Sequence, residues 1–348
     1  MISACSANRS QISVTTSQAS HTSTSTARST LPPLSTPFIT PTRTITPPAP
    51  LGTSPAEKPI PSVAAEIDIG AAKYLDPQLL YCKQDGCIYS VTQPLLRPLP
   101  AEYEPKVEKT YRYGSTQNGT RENHAGVEFP ADRGTPVIAS ADGIVFYAGD
   151  DQSFVFGPFK NFYGNLVLLE HHWDGLNQSV YTVYAHLSQI MVETGDHVVL
   201  GQEIGEVGSS GSATGAHLHF EVRVNGTALS DTVNPELWLN PSQIEKANSK
   251  QTCGTLIARF TKGEGTIYSN AVLIQNFSDS QADRKPSIDA ESYAKNVPTA
   301  DFWNENLVVG DLSPGIYRIS LVRNNQIYQK FFEIESERIT LVEFDFVN

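Results

Sequence analysis

Between residues 103 and 240 the chain is cut by Gly, Asp and Asn into short runs: "TPVIAS", "GIVFYAG", "NLVLLEHH", "SVYTVYAHL", "DHVVLGQEIGEVG" and "AHLHFEVRVNG". Runs of this length, with turn residues at this spacing, predict an all-β domain. The last run constrains most. Side chains alternate faces along a strand, so in "TGAHLHFEV" His217 and His219 project to one side while Leu218 and Phe220 project to the other. One face is built to bury, and the other presents two imidazoles within reach of one atom. A lone HxH pair also suits two hydrogen-bonded surface histidines, so the rest of the chain has to decide.

A length of 348 residues suggests two domains with additional segments. Residues 1–60 are dominated by Ser, Thr and Pro, with sparse charge and no apolar periodicity, and read as a disordered stalk. As a flexible coil, ~55 residues reach about 40 Å. The stalk opens with "MISAC", which resembles a bacterial lipobox; either the start lies further upstream and a lipid on Cys5 attaches the chain to a membrane, or the four residues match a short pattern by chance. Residues 61–102 read as a linker in which Cys82 and Cys87, either side of Gln-Asp-Gly, pair locally in an oxidising compartment.

Residues 103–245 hold the strand runs above, and residues 253–348 form a second all-β unit. There Tyr317, Ile319 and Leu321 alternate with Arg318 and Ser320 until Asn324-Asn325, a pair suited to a tight hairpin turn. "DLSPGIYRISL" loosely resembles a carboxypeptidase-regulatory or transthyretin-like β-sandwich. With its own alternating core and no candidate site residues, this unit is expected to be separable from the chemistry. The formal net charge of −12 argues against nucleic acid as a partner, which requires clustered Lys and Arg. No run of 18 apolar residues occurs, and four cysteines are too few for a disulfide-built scaffold.

Eight histidines are present, and four of them fall in three phrases: "NHAGVEFP" with His124 and Glu128, "VYAHLSQI" with His186, and "TGAHLHFEV" with His217 and His219. A catalytic zinc takes three protein ligands of His or carboxylate type and leaves a fourth position for water. His124, Glu128 and one histidine of the HxH pair can supply them, leaving the other and His186 to act on a substrate.

The order HxGx(D/E), YxHL, a Gly-rich stretch and HLHFE, over roughly residues 111–240, resembles the lysostaphin/LytM-type zinc endopeptidases that cut peptidoglycan peptides. The resemblance implies one Zn2+ per chain on His124, Glu128 and His219, catalytic roles for His186 and His217, and a place in the extracytoplasmic cell envelope or outside the cell. The competing reading is a metal-free, non-catalytic member that binds the cell wall or activates another hydrolase; retention of all four histidines favours the enzyme.

One residue departs from the family pattern: Glu128 stands where the first motif normally has aspartate. One extra methylene carries its carboxylate about 1.5 Å further out. Positions four apart on a straight strand lie about 13 Å apart, so the chain must bend between His124 and Glu128, and Gly126 permits the bend. Among the other histidines, His171 matches a family position that looks structural, and His172 and His197 read as surface residues. "VETGDHVVLGQEIGEVG" alone resembles a lipoyl/biotinyl hammerhead turn but lacks a carrier lysine. In "DDQSFVFGPFKNFYGN" the rings of Phe154, Phe156, Phe159, Phe162 and Tyr163 suit either the wall of a substrate groove or a lid on the domain's own core.

Overall fold

The computed structural model describes residues 77–346, apart from 104, 174, 175, 177, 242–251, 264, 267, 279–285 and 301. The expected stalk and Cys5 lie outside the described residues. Among these the regular structure is strand, with three short 3-10 turns, so the chain is all-β. No helix among the described residues is long and apolar enough to cross a membrane.

The run from His217 to Val224 forms one strand. Val180–Ala185 pairs with it on one edge; Val127–Pro130 and Thr232–Val233 share the other edge. The sheet continues through Asn165–His171 and Gly143–Asp150 to His197–Val198, antiparallel throughout. Burial explains why Val180–Ala185 is apolar at nearly every position: all six residues are buried, because both faces of the sheet are covered. On one face Leu218, Phe220 and Val222 pack with Val167, Leu169 and Tyr184. A small three-stranded sheet of Pro136–Ile138, Glu203–Glu206 and Gln189–Ile190 adds Val137 and Ile204 to that core. On the opposite face Leu166, Leu168, Val183 and Ala185 pack under Tyr163, with Phe156 and Phe162 against them. His219 and Glu221 stand directly across from Ala185 and Val183, so the imidazoles share this second face.

Residues 254–346 contribute to two further sheets around a second core of Leu256, Phe260, Ile274, Ile319 and Phe332 among others. Gly254–Lys262 and Ile339–Asp345 pair in parallel. A parallel pair needs a long crossover, here the intervening strands of both sheets. The segment expected to be a linker contributes a hairpin, Gln78–Lys83 with Gly86–Ser90, closed by a Cys82–Cys87 disulfide. Gly86–Ser90 adds to the edge of Ile339–Asp345 and buries Ile88. Apolar residues from both parts of the chain also share one core. Leu95, Leu99 and Tyr113 join Ile257, Tyr293, Trp303 and Leu341 in the same apolar cluster as Phe220. Buried ion pairs reinforce the junction: Arg97 with Asp311, and Arg112 with Glu236, whose carboxylate also accepts the Gly310 amide.

His171 is fully buried, with Nδ1 2.7 Å from the Asp142 carbonyl oxygen and Nε2 2.7 Å from Thr182 Oγ1. Burial lowers its pKa to about 4. The folded protein therefore holds the ring neutral, while the unfolded chain protonates it near 6.5. This contribution to stability is whole above that pH and falls at up to about 1.4 kcal/mol per pH unit as pH drops toward 4. Denaturant titrations from pH 7 to 4 should show a shallower decline for His171→Gln than for the wild type; identical declines would contradict this account.

Candidate functional site

Cross-strand pairing builds the site. Glu128 and His219 stand directly opposite one another in neighbouring strands, which places their side chains on one face. His124 reaches the same point from the preceding loop. Its backbone is tied there by Gly114 N to His124 O at 2.8 Å and His124 N to Ser115 O at 3.0 Å. Gly126 serves this approach by leaving room: a Cβ there would lie 2.4 Å from the Phe220 carbonyl oxygen and 3.0 Å from His219 Cε1. The requirement for glycine is close approach to the neighbouring strand.

His124 Nε2 lies 2.9 Å from Glu128 Oε1 and 3.3 Å from His219 Nδ1, and His219 Nδ1 lies 3.1 Å from Glu128 Oε1. One donor atom from each of the three fits within 4.8 Å of the others. A tetrahedral ion with bonds of 2.0–2.1 Å separates its ligand atoms by about 3.3 Å. The spacing and the N, N, O donor set both fit zinc. Charge points the same way. Burial opposes protonation of His219, but Glu128 on one ring nitrogen and Glu221 on the other outweigh it and raise its pKa to about 10. Glu128 would be raised by burial, yet His219, His124 and His217 hold it well below the usual carboxylate range. Burial lowers the pKa of His124, so the positive charge beside the Glu128 carboxylate rests on His219, a place that a cation can take instead.

Sequence reasoning missed the residues behind His219. Its Nε2 lies 2.9 Å from Glu221 Oε1, and Arg223 Nε donates to Glu221 Oε2 at 2.8 Å. The Tyr163 hydroxyl also donates to Glu221. Glu221 and Arg223 are both fully buried. Burial would raise the Glu221 carboxyl, but Arg223 and His219 hold it at about 2. An ionised carboxylate on the far nitrogen fixes the tautomer and orientation of a metal-binding imidazole. The signal was available: positions 217, 219, 221 and 223 alternate onto one face.

His186 and His217 border the same cleft, with ring centroids 4.9 Å apart. His186 has φ 63°, in the left-handed region that a non-glycine residue enters at a cost, and its amide donates to Tyr163 O at 3.0 Å. Its Nδ1 lies 2.9 Å from Ser210 O, so Nδ1 carries a proton and Nε2 is left with a lone pair in the neutral ring. Burial first, then His219, lowers its pKa to about 4. His217 has Nδ1 3.0 Å from Gly215 O, and its Nε2 lies 3.1 Å from Glu128 Oε2.

The cleft encloses about 470 Å³ and is bordered by Tyr111, Arg121, His124, Pro158, Phe162 and His186 among others. The aromatic loop thus divides its roles. Tyr163 is buried, Phe162 faces the cleft, and Phe154 and Phe159 are exposed. His172 and His197 are exposed and lie outside the cleft.

The DD-carboxypeptidase/endopeptidase Mpg of Neisseria meningitidis serogroup B is 38% identical over 143 residues, 39% of this chain and 29% of that one. The peptidoglycan DD-endopeptidase ShyC of Vibrio cholerae is 37% identical over 148 residues, 42% of this chain and 27% of that one. The chain thus spans under a third of the length of these relatives. Among solved structures, the catalytic domain of the antimicrobial peptidase lysostaphin from Staphylococcus simulans is 34% identical, covering 39% of this chain and 95% of that one, with a TM-score of 0.32. The family model for peptidase family M23 matches residues 122–231, the stretch that carries all five residues of the cleft cluster. Through residues 122–231 the chain belongs to peptidase family M23.

Proposed function

We propose that this protein is a zinc-dependent endopeptidase that hydrolyses peptide bonds of peptidoglycan, a substrate outside the cytoplasmic membrane. The observation that carries the reading is the convergence of His124, Glu128 and His219 on one point in a cleft that His186 and His217 also line. His124, Glu128 and His219 are the residues that would hold the ion. A zinc ion there supplies a Lewis acid that polarises a carbonyl and acidifies water.

The remaining chemistry falls to the chain's own groups. Glu128 faces both His124 and His219, so it is not free to act as a general base. His186, neutral and fixed with Nδ1–H on the Ser210 carbonyl, offers Nε2 to take a proton from the attacking water and return it to the departing amine. His217, when doubly protonated, keeps Nδ1–H on the Gly215 carbonyl and offers Nε2–H to the oxygen on which negative charge develops. Tyr111, stacked on His124 with centroids 3.9 Å apart, shields that ring from solvent.

The test is digestion of purified peptidoglycan by the zinc-loaded protein, with the muropeptides separated afterwards. Cross-linked dimers should fall and monomers rise, a chelator should stop the change, and added zinc should restore it. An unchanged muropeptide profile would contradict the reading.

A further inference from the structure

One wall of the cleft is a loop whose shape is fixed from the C-terminal part of the chain. Between Tyr113 and His124 the loop brings Gly119, Arg121 and Asn123 to the cavity. Gln117, Asn118 and Gly119 take φ of 49°, 59° and 77° in succession; glycine and asparagine enter this region readily, whereas glutamine does so at a cost that its surroundings must offset. The surroundings here are the carboxylate of Glu291, at the end of the strand Ser287–Glu291.

Glu291 Oε2 accepts from Ser115 Oγ at 2.8 Å, from Thr116 N at 3.1 Å and from Asn118 N at 3.3 Å. Its Oε1 accepts from Thr116 Oγ1 at 3.1 Å. Both hydroxyls therefore point their protons at the carboxylate and keep lone pairs for the loop. Ser115 Oγ accepts from Gln117 N at 3.1 Å, and Thr116 Oγ1 from Gly119 N at 2.9 Å. The Thr116 carbonyl then takes the amides of Thr120 and Arg121 at 3.0 and 2.9 Å. An ordered chain of bonds runs from Glu291 to the backbone of Arg121. The guanidinium of Arg121 lies 4.9 Å from the centroid of Tyr111, the ring stacked on His124. The residues after Glu291 hold the loop's flanks: Ala294 N donates to Gly114 O at 2.9 Å, and Asn123 Nδ2 to Lys295 O at 3.5 Å.

We propose that Glu291 is a positioning residue for the cleft: its carboxylate fixes the left-handed turn at 117–119 and with it the wall that carries Arg121, so residues 253–348 govern how tightly substrate is held. The effect on substrate rests on the peptidase reading above; the fixing of the loop does not.

The experiment uses full-length Glu291→Ala and Glu291→Gln. In Glu291→Ala, loss of charge-assisted bonds should raise hydrogen exchange at the Thr116 and Asn118 amides by about tenfold or more. Zinc content and exchange in the strand His217–Val224 should stay as in the wild type. KM for a cross-linked peptide should rise about tenfold with kcat within about twofold, the pattern of lost binding that is equal in ground and transition states. Glu291→Gln keeps the shape and one acceptor oxygen, so it should fall between; if Glu291→Ala does not fold, this variant decides. Unchanged exchange at 116 and 118 would overturn the proposal, as would faster exchange with unchanged KM, or a fall in kcat alone. If the wild type cleaves no peptide, the peptidase reading fails, and the exchange result still decides whether Glu291 fixes the loop.

Discussion

Replacing His186 or His217 by alanine should leave the bound zinc in place and lower turnover by about 10²–10⁴-fold, since general acid–base and oxyanion roles each contribute on that scale. Neither residue belongs to the three whose donor atoms converge, and each is held by its own backbone carbonyl, Ser210 for His186 and Gly215 for His217. The two variants should differ in kind. Without His186 the chain loses the ring whose Nε2 lone pair is available at neutral pH; without His217 it loses a donor to developing negative charge. Parallel measurement of kcat and metal content checks both. A variant that loses zinc along with activity would show that the roles of that histidine and a ligand have been exchanged.

The second large effect concerns Glu128. Its carboxylate meets His124 and His219 from the directly opposed position on the neighbouring strand, with Oε1 2.9 and 3.1 Å from their ring nitrogens. Shortening the side chain withdraws that oxygen by about 1.5 Å, whereas coordination distances hold within about 0.2 Å. The backbone cannot easily follow, because the Gly126 position packs against the Phe220 carbonyl. Glu128→Asp should therefore weaken zinc binding about tenfold or more, although aspartate is the usual residue of the family motif. Glu128→Gln should weaken it further, since a neutral amide adds no negative charge between His124 and His219. Zinc titration against a competing chelator measures both. An aspartate variant that binds as well as the wild type would show that the strand accommodates either length.

Much of the site was legible in short-range pattern. The alternation in HLHFEVRV gave the face, and the three His-containing phrases named the residues that the fold gathers in one cleft. Glu221 and Arg223 follow the same alternation; buried charges two and four residues past His219 signal a support network that the motif alone does not mention. What stayed hidden depends on pairings between distant parts of the chain. Glu291 meets Thr116 across 175 residues, and the hairpin at 78–90 finds its partner strand at 339–345. Register between such segments is set by burial of both faces at once, which no local window contains. The core that Tyr293 and Trp303 share with Tyr113 and Phe220 joins distant segments in the same way, a continuity visible only after folding.

The central claim is that His124, Glu128 and His219 bind one zinc ion. Metal analysis of the wild type and His219→Ala, each exposed to zinc and then freed of excess, tests it most directly. The account predicts close to one zinc per chain in the wild type and a small fraction of that in the variant, because two remaining ligands make a poor site. A wild type that takes up no zinc, or a variant that retains all of it, would contradict the account.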